Sequence, residues 1–111
     1  MTGPADPIPA EALARFTAAE GRLYPLALVD STGFEVATSL VGLVAAELRR
    51  DGADVASVLA RRAELIDRVP RLAADAGLDP SGLPAEVVVD AASALRCREL
   101  GGVGPGALGG A

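Results

Sequence analysis

The spacing of apolar positions along the chain predicts amphipathic helices and contains no clear strand pattern. The first predicted helix begins near Pro9, a residue suited to a first turn, and runs through Glu11 toward Gly21. Leu13 and Phe16 lie on its apolar face. This pattern is typical of a helix that packs one face on a core and leaves the other in water.

Residues 23–29 (Leu-Tyr-Pro-Leu-Ala-Leu-Val) follow this helix and leave three structures open: a break, a kinked second helical piece or a short strand. Pro25 has no amide hydrogen, and it disfavours the α conformation at Tyr24. A strand needs a partner, and residues 87–89 (Val-Val-Val) are the one clear candidate. We therefore favour a helix or an extended linker for this segment.

The second predicted helix has the clearest boundaries. Thr32 and Glu35 match a capping box, in which each side chain satisfies a free amide of the first turn. Arg49 and Arg50 place positive charge near the C-terminal end, and Gly52 is suited to the residue beyond it. We expect this helix to be the central and most buried element. Its apolar positions recur at helical spacing and are Ala37, Leu40, Val41, Val44 and Leu48.

Two more helices complete the predicted bundle. The third begins at Asp51 or Asp54, and Pro70 ends or kinks it. Residues 79–82 (Asp-Pro-Ser-Gly) are a turn signal, and the fourth helix runs from about Pro84 to Leu100. The apolar stripe of the third helix holds Val55, Val58, Leu59, Leu65, Ile66 and Val69, and the inward positions of the fourth are Val87, Val88, Ala91 and Leu95.

These elements predict an all-α fold, a compact orthogonal or up-down bundle of about four helices, in one helical domain at residues 10–100. Residues 1–9 contain three prolines, and residues 101–111 contain six glycines. Segments of this composition bury too little surface to offset their ordering entropy. We therefore expect a disordered Pro-rich N-terminal segment and a flexible Gly-rich tail.

Composition removes most kinds of catalytic and metal site. The absence of histidine excludes Ser-His-Asp triads, Cys-His dyads and histidine zinc sites, and a single cysteine cannot build a thiolate zinc site. Cys97 lies between Arg96 and Arg98, but neighbours in a helix point in different directions, so we interpret it as a small semi-buried side chain. We expect no enzyme activity, no metal, no cofactor and a nearly silent Cys97→Ser substitution.

Charge and hydropathy argue against two classes of partner. The net charge is −5, and residues 47–79 carry six arginines against seven acids, so they lack the excess positive charge of a nucleic-acid site. The uncharged apolar run at residues 36–46 is about half of the roughly 20 residues that cross a bilayer. The first residues have neither the basic nor the apolar region of a signal peptide. We expect a cytoplasmic protein without a nucleic-acid or membrane partner.

A stripe of small residues is the candidate interface. Thr38, Gly42 and Ala46 recur every four residues on the second helix, away from its main apolar stripe. Small side chains let another backbone approach closely. Either the bundle surrounds this face, or a second subunit covers it. In both cases we expect Gly42→Leu to disrupt assembly or folding.

Glu20 and Arg62 are a candidate buried ion pair. Glu20 lies between Phe16 and Tyr24 on the apolar face if the first helix passes Gly21, and Arg62 lies within the apolar stripe of the third helix. A charge on an apolar face must be paired, reach water or face a partner. Either the two residues form a bridge that sets the register of their helices, or the first helix ends early and Arg62 extends into solvent.

One short motif lies at the start of the second helix. Asp30 and Ser31 precede a helix that ends in residues 46–48 (Ala-Glu-Leu), and this stretch resembles the acyl and peptidyl carrier proteins, which are also small, acidic and four-helical. The resemblance covers roughly residues 30–60 and implies a phosphopantetheine arm on Ser31. Thr32 stands where those proteins have a large apolar residue after the serine.

The function follows by elimination. Catalytic side chains are missing, whereas apolar residues make up 50% of a short chain. A domain of this size buries only about two-thirds of its unfolded surface, so leftover apolar area needs a partner. We therefore expect a small non-catalytic helical protein that acts by protein–protein association, as a homo-oligomer or as an accessory or regulatory subunit. The alternative is a carrier-like domain modified at Ser31.

Overall fold

The computed structural model describes residues 7–80 and 82–101, which form helices joined by short turns and contain no strand. This confirms the predicted all-α fold for the described part of the chain. Four of its helices have 14 or more residues. The helices are α1 (Ala10–Leu23), α2 (Leu26–Val29), α3 (Ser31–Arg50), α4 (Val55–Ala60), α5 (Arg62–Asp75) and α6 (Ala85–Glu99).

The segment between the first two long helices forms the short helix α2, so its helical interpretation is confirmed and the strand is not formed. Tyr24 keeps an α conformation, with φ −60° and ψ −40°, although Pro25 follows it. The amide of Ala27 donates to the Tyr24 carbonyl at 3.1 Å, and that of Leu28 donates to the Pro25 carbonyl at 3.0 Å. These turn hydrogen bonds let the chain pass from α1 to α3 within a few residues.

Asp30 sets the start of α3. Its carboxylate accepts a hydrogen bond from the Gly33 amide at 2.9 Å, which is the contact of an N-cap residue. The predicted capping box is therefore wrong, because Thr32 lies inside the first turn. A Cβ on residue 33 would collide with the Asp30 carboxylate, so glycine leaves room for the cap. At the other end, Gly52 has a φ of 64° just beyond the helix, as the sequence indicated.

The third predicted helix is two helices that meet at Arg61. Asp54 caps α4 by accepting a hydrogen bond from the Ser57 amide at 2.8 Å. Arg61 leaves the helical conformation, with φ −91° and ψ 7°, and α5 then continues to Asp75. Pro70 was predicted to end or kink this helix. It does not end the helix, because it lies inside α5. The buried inner face of α5 continues on both sides of Pro70, at Leu65, Val69 and Ala73.

Helix α6 is the central element, which corrects the expectation that α3 is the most buried. It packs against α1, α3, α4 and α5. Apolar residues surround almost its whole circumference, the pattern of a helix buried on all sides. Small side chains allow this close packing because they leave room for several neighbouring backbones. The buried residues of α6 are Val87, Val88, Val89, Asp90, Ala91, Ala92, Ser93, Ala94 and Cys97.

Helix α3 runs alongside α6 in the same direction. Ala37, near the start of α3, packs in one cluster with Val87 near the start of α6. At the other end, Arg49 pairs with Glu99 at 2.9 Å. Helix α1 packs on α6 as well, so α6 lies between α1 and α3 and supports both.

The two predicted terminal segments lie mostly outside the described residues, as does Ser81 in the predicted turn. Within residues 7–9, Ile8 is buried and packs with Ala12 and Phe16. The buried core of the described chain therefore includes Ile8, two residues before α1.

Candidate functional site

A groove open to solvent lies between α1 and α3, with α6 as its floor. Its volume is about 270 Å³. The wall side chains are mostly apolar, and the one ion pair among them joins α1 to α6. This volume lies just below the range of about 300–1,000 Å³ that small-molecule sites enclose. It is lined by Glu20, Leu23, Tyr24, Phe34, Thr38, Val41, Gly42, Ala91, Leu95 and Arg98.

The predicted small-residue stripe faces this groove in part. Thr38 and Gly42 are exposed and line it, whereas Ala46 is half-buried and does not. A Cβ on Gly42 would have no neighbour within 4 Å. The bundle therefore does not surround this face. The space beside Gly42 gives no steric reason for Gly42→Leu to disrupt folding of the single chain, and its expected effect on assembly stays a prediction.

Three large apolar side chains lie exposed in the segment that joins α1 to α3. Tyr24 is 61% exposed, Leu28 is 90% exposed and Val29 is 80% exposed. Of these three, Tyr24 also lines the groove. We call these three residues the α2 knob. Sequence reasoning missed the knob, although Leu28 and Val29 belong to none of the predicted apolar stripes.

Glu20 does not pair with Arg62, and the predicted bridge is therefore wrong. Its carboxylate contacts the Arg98 guanidinium at 2.6 Å. The reason is topological, because the central helix α6 lies against α1 and brings its own arginine to Glu20. Helix α1 does pass Gly21, as the bridge required. The Arg98 side chain remains 56% exposed, whereas that of Glu20 is 18% exposed.

Arg62 instead makes a two-pronged contact with Asp90. The guanidinium donates from Nε at 2.7 Å and from Nη2 at 2.9 Å to the two carboxylate oxygens. The hydrogen bond to Asp90 raises the pKa of Arg62, and partial burial opposes this shift. Asp90 is 8% exposed at its side chain and Arg62 is 34% exposed. This pair joins the first residue of α5 to the middle of α6, so its role is structural.

A second buried carboxylate, Glu47, links α3 to α5. Its Oε1 contacts the Arg68 guanidinium at 2.7 Å, and its side chain is 7% exposed. Its other oxygen, Oε2, is buried without a hydrogen-bond partner in the described part of the chain. Neither atom faces the groove. The sequence offered one signal for this residue, since it follows directly on a long uncharged run.

Cys97 and Ser31 lie outside the groove. Cys97 is fully buried, which corrects the semi-buried expectation, and desolvation raises the pKa of its thiol against the opposing effect of Arg96 and Arg98. Ser31 is exposed as the first residue of α3, directly after the Asp30 cap. A buried thiol with a raised pKa is unreactive, so Cys97 contributes packing rather than chemistry.

Within residues 7–80 and 82–101, no cluster of three or more acidic, cysteine or histidine side chains has the arrangement of a metal site. None of the helices in this part of the chain combines the length and apolar character needed to cross a membrane. No family model matches the chain, and no curated protein or solved structure matches it.

Proposed function

We propose that this chain is a non-catalytic helical protein that acts by protein–protein association, and that the groove between α1 and α3 is its binding surface. The observation that carries the proposal is the exposure of the three large apolar side chains of the α2 knob, one of which, Tyr24, also lines the mostly apolar groove. Leu28 and Val29 are almost fully in water, although both are large and apolar. Monomeric proteins rarely leave such surface uncovered unless a partner uses it.

The energetics favour a protein ligand at this surface. Covering a Leu or Val side chain contributes about 1.5–3 kcal/mol, and an aromatic side chain such as Tyr24 contributes more by area. The flanking helices and the floor helix form the kind of groove that accepts side chains from another chain. The two charged residues in the wall, Glu20 and Arg98, neutralise each other at 2.6 Å and so impose little desolvation on a partner.

A pair of glycine variants tests the proposal. Gly42 and Gly21 are both exposed helical glycines, and a Cβ on either would meet nothing within 4 Å. Gly42→Arg places a long charged side chain in the groove, whereas Gly21→Arg places the same side chain on α1 outside the groove lining. Replacing either glycine raises helix propensity by a similar amount. The two variants therefore carry the same substitution and gain similar helix propensity, but only Gly42→Arg places its side chain in the groove.

The experiment is affinity purification from the native host with tagged wild-type chain, Gly42→Arg and Gly21→Arg, each shown by thermal melting to be folded. We expect the wild type and Gly21→Arg to retain the same specific protein, whether a second copy or another chain, and Gly42→Arg to lose it. Equal retention by the two variants would refute the groove as the binding surface.

We also propose that the protein is cytoplasmic, because its single cysteine is a free, buried thiol, and thiols stay reduced in that compartment.

The carrier-like alternative has one supporting observation, the exposure of Ser31 at the start of α3 behind an aspartate cap. A phosphopantetheine arm requires a serine that a modifying enzyme can reach. The intact mass of the chain purified from its host decides between the two functions. The carrier is excluded if the wild-type chain has its unmodified mass and the mass of Ser31→Ala differs from it only by the substitution.

A further inference from the structure

We draw no further inference here: the strongest candidate, the mostly apolar groove between α1 and α3, carries nothing beyond the proposed function because nothing in the structure shows what covers it.

Discussion

Arg62 and Asp90 form one ion pair, but we expect their removal to have unequal effects on stability. The carboxylate is 8% exposed and the guanidinium is 34% exposed, with contacts at 2.7 and 2.9 Å. Arg62→Met leaves a buried carboxylate without a counter-charge, and the expected loss is about 3–5 kcal/mol in the free energy of unfolding. Asp90→Asn leaves an arginine that can turn into water, and the expected loss is about 1–2 kcal/mol.

Urea unfolding at neutral pH, followed by far-ultraviolet circular dichroism, measures both losses. Arg50→Met is the matched control, since the Arg50 side chain is 68% exposed and lies 4.0 Å from its nearest carboxylate. The control should change the free energy of unfolding by less than about 0.5 kcal/mol. The reasoning is refuted if Asp90→Asn is as damaging as Arg62→Met, because the cost would then not come from an isolated buried charge.

The pH dependence gives a second readout of the same pair. The hydrogen bond to Asp90 raises the pKa of Arg62 above its ordinary value. A raised folded-state pKa stabilises the fold at every pH below the ordinary arginine value, so the wild-type pair does not lose the arginine charge near neutrality. The stabilisation that the Arg62 charge contributes should therefore stay constant as the pH rises above neutrality.

Two further predictions follow from the packing and the charges. Cys97→Ser buries a hydroxyl where the structure has a fully buried thiol, so thermal melting should detect a loss of about 1–3 kcal/mol in place of a silent change, and the native thiol should resist thiol reagents at neutral pH. The hydrogen bond from Arg49 lowers the pKa of Glu99 below its ordinary value of 4.5, so this interaction stabilises the fold above pH 4.5 and is lost as the pH falls through the lower folded-state pKa. Unfolding curves of Glu99→Gln should consequently depend less on pH in that acid window than those of the wild type, and an unchanged dependence would exclude the interaction as a source of stability.

The helical periods were predictable because they depend on local spacing. The apolar positions of α3 placed Ala37, Leu40 and Val44 on one face, and all three are buried. Gly52 marked the end of α3 because glycine readily adopts the positive φ that the residue after a helix often needs, and this preference is visible in the sequence itself. The cap at the start was harder, because Asp30 and Thr32 are both capping residues. The choice between them depends on where α2 ends, which tertiary packing decides.

The position of α6 and the partners of the charged residues were not predictable in the same way. Apolar and small residues occur all round α6, and that pattern indicates a central helix. The sequence analysis assigned only one inward face to this helix and so missed its central position. Once α6 lies against both α1 and α5, Glu20 and Arg62 each find a partner on it rather than on each other. The α2 knob was missed because exposure of Leu28 depends on a four-residue helix that no period reveals.

The central position of α6 has a consequence for biosynthesis. Four earlier helices pack on this one, yet it leaves the ribosome after all of them. Until it emerges, their apolar faces have no shared surface to cover, and contacts such as Glu20 with Arg98 span 78 positions of nascent chain. Assembly of the core is therefore expected to wait until translation has passed residue 99, which exposes the unfinished polypeptide to chaperones during synthesis.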